Sequence, residues 1–495
     1  MSYNIKSIRF LEFHLLLKIE IYNINEIIWN INNIMMSLFD TKSHLLQLPA
    51  MLINNIIQYL ATSLHFTGNT FIRYFAQLKR HYYNMMCYLI SNNYIEVTIK
   101  YSNIQYITHN LLFTITGVIF DNSLIRDNDV KELSISQYKY AFFHNCDITD
   151  KTIKLLQGIH TLVLYNCNLI TTNSFRYLQG ITHLHVNDCK FISDYSTQYL
   201  NNIETLIIQS SDNKPFMTDG GLLYLTKMKS FIITKSFITD NGLNYLQHLE
   251  HLNIGECYIT DDGFINLNKL KSLTIYNCAN ITGSLFEYLN HLTELTICNC
   301  VNIQDIGFQY LTHLKTLNIE RCNKITDAVF QHLDILIELS ICNCSNITGS
   351  GFKYFRCLYS ININSCYNIN CNNFCYLTMI NTLTIENSYL LTNNTLCYLQ
   401  HLITLTIINC PNITDNGIYF LKNICHLIIN GCICLSDNSL CFLKNIYCLR
   451  LISLNITDTG LHHLQNNYTV NIYNCINVST PALKQFYNNL IVERE

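Results

Sequence analysis

The sequence predicts an α/β solenoid, with parallel strands on a concave face and short helices on a convex face, preceded by a small N-terminal all-α module. Three observations predict it. One phrase returns in phase sixteen times. Within the phrase an apolar alternation of period two gives way to apolar spacing of helical period. Residues 41–90, ahead of the array, break that phase and carry a helical pattern.

The phrase is L-x-I-x-x-C-x-N-I-T-D-x-G-F-x-Y-L-x-x-L. It reads Leu273-Ile275-Cys278, Leu295-Ile297-Cys300, Leu317-Ile319-Cys322 and onward to Leu427-Ile429-Cys432. The cysteine slot begins at Cys146 and ends at Cys475, in steps of 21 or 22 residues apart from one of 25 between Ser211 and Ser236. Ser211, Ser236, Ser388 and Leu454 fill the four slots that lack Cys. A period in this range with an L-x-L core marks a stack of identical units, each unable to bury its own faces alone.

Within a unit, the L-x-I triplet is a short strand with both apolar side chains inward. Cysteine is small and readily buried, with a weak S–H donor that can satisfy a carbonyl of the following turn, and Ser fits and also donates. Thr-Asp then supplies a helix N-cap, as in Thr239-Asp240, Thr260-Asp261, Thr326-Asp327, Thr414-Asp415 and Thr457-Asp458. Gly307-Phe308-Tyr310-Leu311-Leu314 shows the spacing of one or two helical turns. Sixteen strands at ~4.8 Å give an inner arc of roughly 75 Å.

That geometry exposes fixed columns. The column inside L-x-I is small and polar: Asn253, Thr274, Thr296, Asn318, Ser340, Asn362, Thr384 and Thr406. The two columns after the Ile vary more, so partner choice is expected there. Glu256, Tyr276, Glu320, Arg321 and Glu386 are the concave-face candidates for binding a substrate protein. An ordinary solvated strand residue is the competing reading for each. The three-residue insertion around Asp212, Lys214 and Pro215 is a further candidate, since insertions in repeats map to loops.

Composition narrows the function. Hydrophobic residues make up 49% and charged residues 13%, which argues for extensive burial. A net charge of −3 gives no basic face for nucleic acid. The longest apolar run, Leu111 to Phe120, is too short for a bilayer, and no signal peptide precedes it, so no membrane is expected. The 23 cysteines are then expected as thiols in a reducing, cytoplasmic setting. Asn-Ile-Thr at Asn280, Asn346, Asn412 and Asn455 falls in one phase of the repeat, which favours a structural role over glycosylation. No nucleotide, hydrolase or zinc-protease motif is present. Cys298-x-Cys300, Cys342-x-Cys344 and Cys432-x-Cys434 have no histidine at ligand spacing, so neither a metal nor another cofactor is expected.

The repeat resembles the cysteine-containing class of leucine-rich repeats, whose strand ends in Cys and is followed by I-T-D-x-G-L. The unit here is shorter than the usual ~26 residues on the helical side. That class commonly forms the substrate-binding half of F-box proteins. The array spans 141–478. Residues 479–495 form a helical cap, with Ser479-Thr480-Pro481 at its start and Leu483, Phe486, Tyr487 and Leu490 as its apolar face.

Residues 41–90 lie outside the repeat. Pro49 stands near the first turn of an amphipathic helix carrying Leu52, Ile53, Ile56, Ile57 and Leu60, and Thr67-Gly68-Asn69 breaks it. This segment resembles an F-box at Leu48, Pro49, Leu52, Ile56, Ile57, Tyr59 and Leu60, and departs from it at Ala50-Met51. The resemblance implies docking on a Skp1-type adaptor of a cullin ubiquitin ligase through Leu48, Pro49, Leu52, Ile53, Ile56, Ile57 and Leu60. The chain would then hold a protein substrate and carry no catalytic residue. The alternative is a non-ligase scaffold or inhibitor whose N-terminal helices only cap the solenoid. Residues 1–40 are an unassigned extension, with Met36 a candidate start. Residues 91–140 read as degenerate first repeats, for example at Leu112-Thr114 or Leu133-Ile135. The Asn- and Ile-rich composition resembles F-box and repeat proteins of large DNA viruses of protists, which implies a host ligase and the host cytoplasm.

Overall fold

The Leu-x-Ile triplets fold as they alternate. In the computed structural model each becomes the centre of a five-residue strand whose second and fourth side chains are buried. The structure describes residues 97–100, 115–121, 125–131, 139–189, 193–209, 217–389, 391–421, 423–444, 446–464 and 469–492. The F-box-like segment, Leu112-Thr114, Leu133-Ile135 and most of the insertion after Gln209 lie outside the described residues. The chain forms two units, Met1–Gly117 and Val118–Glu495. In the first, the strand Val97–Lys100 is described.

The second unit carries the array. Its strands are β1 (Tyr140–His144), β2 (Thr161–Tyr165), β3 (His183–Asn187), β4 (Thr205–Gln209), β5 (Ser230–Thr234), β6 (His251–Gly255), β7 (Ser272–Tyr276) and β8 (Glu294–Cys298). They continue as β9 (Thr316–Glu320), β10 (Glu338–Cys342), β11 (Ser360–Asn364), β12 (Thr382–Glu386), β13 (Thr404–Ile408), β14 (His426–Asn430), β15 (Cys448–Ile452) and β16 (Thr469–Tyr473). Each pairs in parallel with the next, and the register keeps like beside like: Leu295 beside Leu317 and Leu339, Ile297 beside Ile319 and Ile341. Ahead of β1 runs the strand Ile115–Asp121, whose Phe120 stacks on Phe143 at 4.7 Å.

Short helices lie behind the strands. From Asp261–Phe264 to Cys371–Tyr376 all of them are 3₁₀. A 3₁₀ turn rises about 2.0 Å per residue against 1.5 Å for α, so it spans the shortened helical side with fewer residues. One Phe in each of these 3₁₀ helices fills the space between helix and sheet. Phe264, Phe286, Phe308, Phe330 and Phe352 are all 0% exposed, and Phe286 meets Phe308 edge-on at 5.1 Å. At the end of the array the helix Thr480–Val492 buries Phe486.

The cysteine ladder is internal. Cys300 Sγ donates to the Cys298 carbonyl at 3.4 Å and lies 3.7 Å from that of Ile275 in the preceding repeat. Cys322, Cys344, Cys366 and Cys410 repeat both contacts. Burial pushes the Cys278, Cys322 and Cys410 thiols up to about 12. Ser236 fills its slot with its hydroxyl 3.3 Å from Cys257 Sγ.

Among the described residues, the one before each slot is left-handed. Asn145, Asn166, Asn277, Asn299, Asn343, Asn387, Asn409 and Asn474 all have φ between 50° and 54°. Asn tolerates this region better than other residues with a Cβ. Its amide also bridges repeats: Asn166 Nδ2 donates to Asn145 Oδ1 at 2.7 Å, and Asn299 Nδ2 to Asn277 Oδ1 at 2.7 Å.

The expected N-cap is only part of what Thr-Asp does. Thr260 and Thr326 do accept from the N–H two residues on, at 3.3 and 3.2 Å, but Thr239 and Thr414 have no side-chain cap bond. The Asp instead reaches into the next repeat. Asp219 accepts from Thr239 N–H at 2.8 Å and from its hydroxyl at 2.6 Å, and Asp240 does the same to Thr260 at 2.8 and 2.7 Å. Asp150, Asp194, Asp305, Asp327, Asp415, Asp437 and Asp458 form the same clasp. This also accounts for the glycine of D-x-G. A Cβ on Gly242 would stand 2.3 Å from Asp219 Oδ1, and one on Gly460 2.4 Å from Asp437 Oδ1.

Five boundaries lack the carboxylate, because Thr172, Gly283, Gly349, Cys371 and Asn393 occupy its position, and of these Asn393 alone keeps the clasp, through its amide to Thr414. After the two glycines a backbone bond crosses instead, Gln304 N–H to Thr282 O and Asn370 N–H to Thr348 O, both at 2.9 Å. After Thr172 and Cys371 the next cap turns inward: Ser193 N–H donates to Ser196 Oγ at 3.2 Å and Thr392 N–H to Thr395 Oγ1 at 3.4 Å. The boundary after Cys371 also holds a small apolar void lined by Ile363, Cys366, Phe374, Ile385, Ser388 and Leu391.

Candidate binding face

The first, third and fifth residues of each strand face outward and form three columns across the sheet. They are the concave face. The fifth column brings Tyr276, Glu320 and Glu386 into one row, through the register Tyr276–Cys298–Glu320–Cys342–Asn364–Glu386. Glu256 and Arg321 do not share that column. They stand one residue beyond the strand, at the left-handed position, with φ of 52° and 51°. Their direction is set by the turn and not by the pleat.

Each candidate has a local partner. Glu320 accepts a hydrogen bond from Cys298 Sγ at 3.4 Å and lies 3.6 Å from Arg321. Burial first, and then the Glu320 carboxylate, push the Cys298 thiol up to about 11. Glu386 accepts from Asn364 Nδ2 at 2.8 Å, and Glu256 from Asn277 Nδ2 at 3.4 Å. The Tyr276 ring lies over Gly255 of β6, and burial pushes its hydroxyl up to about 12.

The central column has two halves, and only one was expected. From Asn253 to Thr406 it is small and polar, with Asn318 Nδ2 donating to Thr296 Oγ1 at 3.1 Å. Ahead of Asn253 it reads Phe142, Val163, His185, Ile207 and Ile232, aligned strand by strand. These side chains are part-exposed. At the β1 end they form an aromatic cluster with the fifth column. Phe142 and Tyr165 rings are 5.6 Å apart and tilted, Tyr165 and His185 are 4.8 Å apart and edge-on, and His144 meets Tyr165 edge-on at 6.0 Å. Burial lowers the basicity of His185. The signal for this strip was in the sequence, since each member lies in phase with Asn253.

The C-x-C pairs do not share a face. Cys298 and Cys342 end their strands on the open face, and the left-handed Asn299 and Asn343 then turn the chain so that Cys300 and Cys344 enter the interior. Among the described residues no group of three or more His, Cys, Asp or Glu is placed to hold a metal ion. No described helix is long and apolar enough to cross a membrane. The Asn of Asn-Ile-Thr works structurally: Asn455 Nδ2 donates to Ile433 O at 2.8 Å, and Asn346 to Asn323 O at 2.5 Å. His313 and His401, each three residues ahead of a strand, also serve structure: His313 reaches Asn290 O at 3.1 Å and His401 reaches Leu377 O at 3.0 Å.

The sixteen-fold repeat and its parallel ladder give the chain the fold of a leucine-rich-repeat solenoid. It matches no known family profile and no curated protein sequence. Among solved structures it is similar to an internalin from Listeria monocytogenes, at 23% identity over 61% of this chain and 89% of that one, with a TM-score of 0.46. It is similar to a chain of the Rad7 and Elc1 complex in yeast, at 15% identity over 80% and 96%, with a TM-score of 0.41. It is similar to a chain of the mouse RP105/MD-1 complex, at 13% over 76% and 77%, with a TM-score of 0.47. These likenesses are of fold.

Proposed function

We propose that this leucine-rich-repeat protein is a protein-binding adaptor, the substrate-recognition subunit of a Skp1–cullin ubiquitin ligase. One observation supports the binding half of the reading above all others: a continuous, open sheet face whose outward columns change from aromatic and aliphatic to small and acidic along its length. Such a face offers shape and chemistry to a macromolecular surface, and its side chains are held in register by a buried core. The Leu48-Pro49 segment supports the ligase half by its resemblance to an F-box. The chain would then act in the cytoplasm without cofactor and leave the chemistry to a separate E2 enzyme.

Two experiments test the halves separately. For the ligase, the full chain and its Leu48→Ala/Pro49→Ala variant are purified in the presence of Skp1, beside a known F-box protein. Retention by the native chain and loss in the variant is expected. If neither retains Skp1, the ligase half is wrong and the non-ligase scaffold reading stands. For the face, a photo-cross-linking residue is placed at Asn318, on the open sheet, or at Tyr310, on the convex side. Protein adducts are expected from position 318 and not from 310.

A further inference from the structure

We infer that the concave face takes an extended protein segment with apolar or aromatic residues at one end and Lys or Arg at the other. The segment crosses the strands with its apolar end over β1–β5 and its basic end over β7–β12. This rests on the concave-face reading above and adds the partner's chemistry and direction.

The two ends of the face differ in kind. Across β1–β5, none of the three outward positions on any strand holds Asp, Glu, Lys or Arg. The middle line there is Phe142, Val163, His185, Ile207 and Ile232. Tyr165 is wedged between Phe142 and His185, its hydroxyl 3.2 Å from His185 Nε2. Rings braced on each other lose little freedom on binding, which favours this strip as the anchor site.

Across β7–β12 the same three positions hold Glu294, Glu320, Glu338 and Glu386, and no Lys or Arg. The floor between these carboxylates is Thr274, Thr296, Asn318, Ser340, Asn362 and Thr384, too short to obstruct a ligand. Glu294 and Glu338 are exposed on one margin of the trough. Glu320 and Glu386 stand on the other, where Arg321 lies 3.6 Å from Glu320. Phosphate chains are repelled by such a surface, and cationic side chains complement it.

Polarity follows from the strands beyond β12. β13–β15 offer Ile408, Ile428 and Ile452, but Arg450 interrupts them. A basic segment is therefore anchored from the β1 side. Four strand steps separate Ile232 from Glu320, ~19 Å at the strand spacing, which an extended chain covers in about six residues.

The test uses the full chain and a fluorescent synthetic peptide of about sixteen residues, the length that spans β1 to β12 when extended. It carries Phe and Leu near one end and Arg at alternate positions near the other. Its twin has Glu for Arg. The Arg peptide is expected to bind at least ~10-fold more tightly than the twin at moderate salt. Glu320→Gln/Glu386→Gln weakens it about fivefold, the size expected of two part-exposed ion pairs. Val163→Ser/Ile207→Ser weakens it about tenfold. Asp262→Asn/Glu287→Gln makes the same change of charge on the convex side and leaves binding within about twofold. Thermal unfolding of each variant confirms that it is folded. Equal binding of the twins, or equal weakening by the convex and concave pairs, overturns the inference. Cross-linking at Asn318 to a partner indifferent to Glu320→Gln/Glu386→Gln sinks this inference while leaving the concave-face reading intact.

Discussion

The Tyr276 ring occupies the space that a side chain at Gly255 would fill: a Cβ there would stand 2.0 Å from Tyr276 Cζ. The two residues face each other across adjacent strands in register. Gly255→Ala must therefore expel the ring, at a cost of about 1–3 kcal/mol as overpacking usually demands. Gly255→Ala/Tyr276→Ala removes the clash, so the double variant is expected to be more stable than the sum of the single changes. Chemical denaturation of the four proteins gives the coupling, and strict additivity would contradict the contact.

Asp437 clasps Thr457 through its N–H at 2.7 Å and its hydroxyl at 2.5 Å, and also accepts from Thr459. Burial acts to raise its pKa, but these hydrogen bonds together hold it below the ordinary 3.8, and Asp127 is held low in the same way. A carboxylate lowered on folding adds stability above its unfolded value, lost as pH falls through the folded one. The protein is thus expected to lose stability below about pH 4. Asp437→Ala costs about 2–3 kcal/mol by leaving the Thr457 donors without their acceptor. Asp437→Asn costs less, because Asn393 already makes the clasp to Thr414 at 3.0 and 2.8 Å, and it lessens the acid sensitivity. Urea midpoints at pH 7 and pH 3.5 check both statements.

The ladder thiols are expected to resist alkylation. At pH 8, iodoacetamide should modify the exposed Cys357, Cys375, Cys425 and Cys434 in the native protein and leave Cys278, Cys322 and Cys410 intact. A thiol raised on folding adds stability below its unfolded value of 9.0, and that stability is lost as pH rises. Unfolding midpoints should therefore fall above pH 9. Mass-spectrometric labelling at similar rates in both groups would show that the ladder opens in the native state.

Arg321 holds a left-handed position that most other repeats give to Asn. Arg321→Asn is expected to stabilise the array by a few tenths to about 1 kcal/mol, by easing the backbone and extending the amide ladder from Asn299. A loss of stability in thermal unfolding would show that the Glu320–Arg321 pair outweighs the backbone preference. If Arg321 also touches the partner, the variant is more stable yet binds less well.

The repeat, its strands and its core were legible because three signals shared one phase: the L-x-I alternation, the Cys slot and the Phe after Gly. The clasp was not. Thr239-Asp240 reads as a local cap, and the true acceptor for Thr239 is Asp219, twenty residues away. Only the stacking register joins them. Glu256 and Arg321 were placed among the concave residues because both positions after the Ile were taken as exposed strand, whereas the second is left-handed and already belongs to the turn. The Asn preference at that slot was the available signal. The Phe142-to-Ile232 strip was missed because the central column was followed only from Asn253 onward.

The inward-turned cap after Cys371 has a mechanical consequence. Elsewhere most neighbours are joined by a charge-assisted pair, but here two consecutive boundaries, after Gly349 and Cys371, lack the side-chain clasp, the next is held only by the neutral amide of Asn393, and the second also carries the void. A rod fastened rung by rung yields at its least fastened rung. Stretched from its ends, or trimmed by a protease, this one should part near Asn370 to Thr392 into two lengths, each retaining its own rivets.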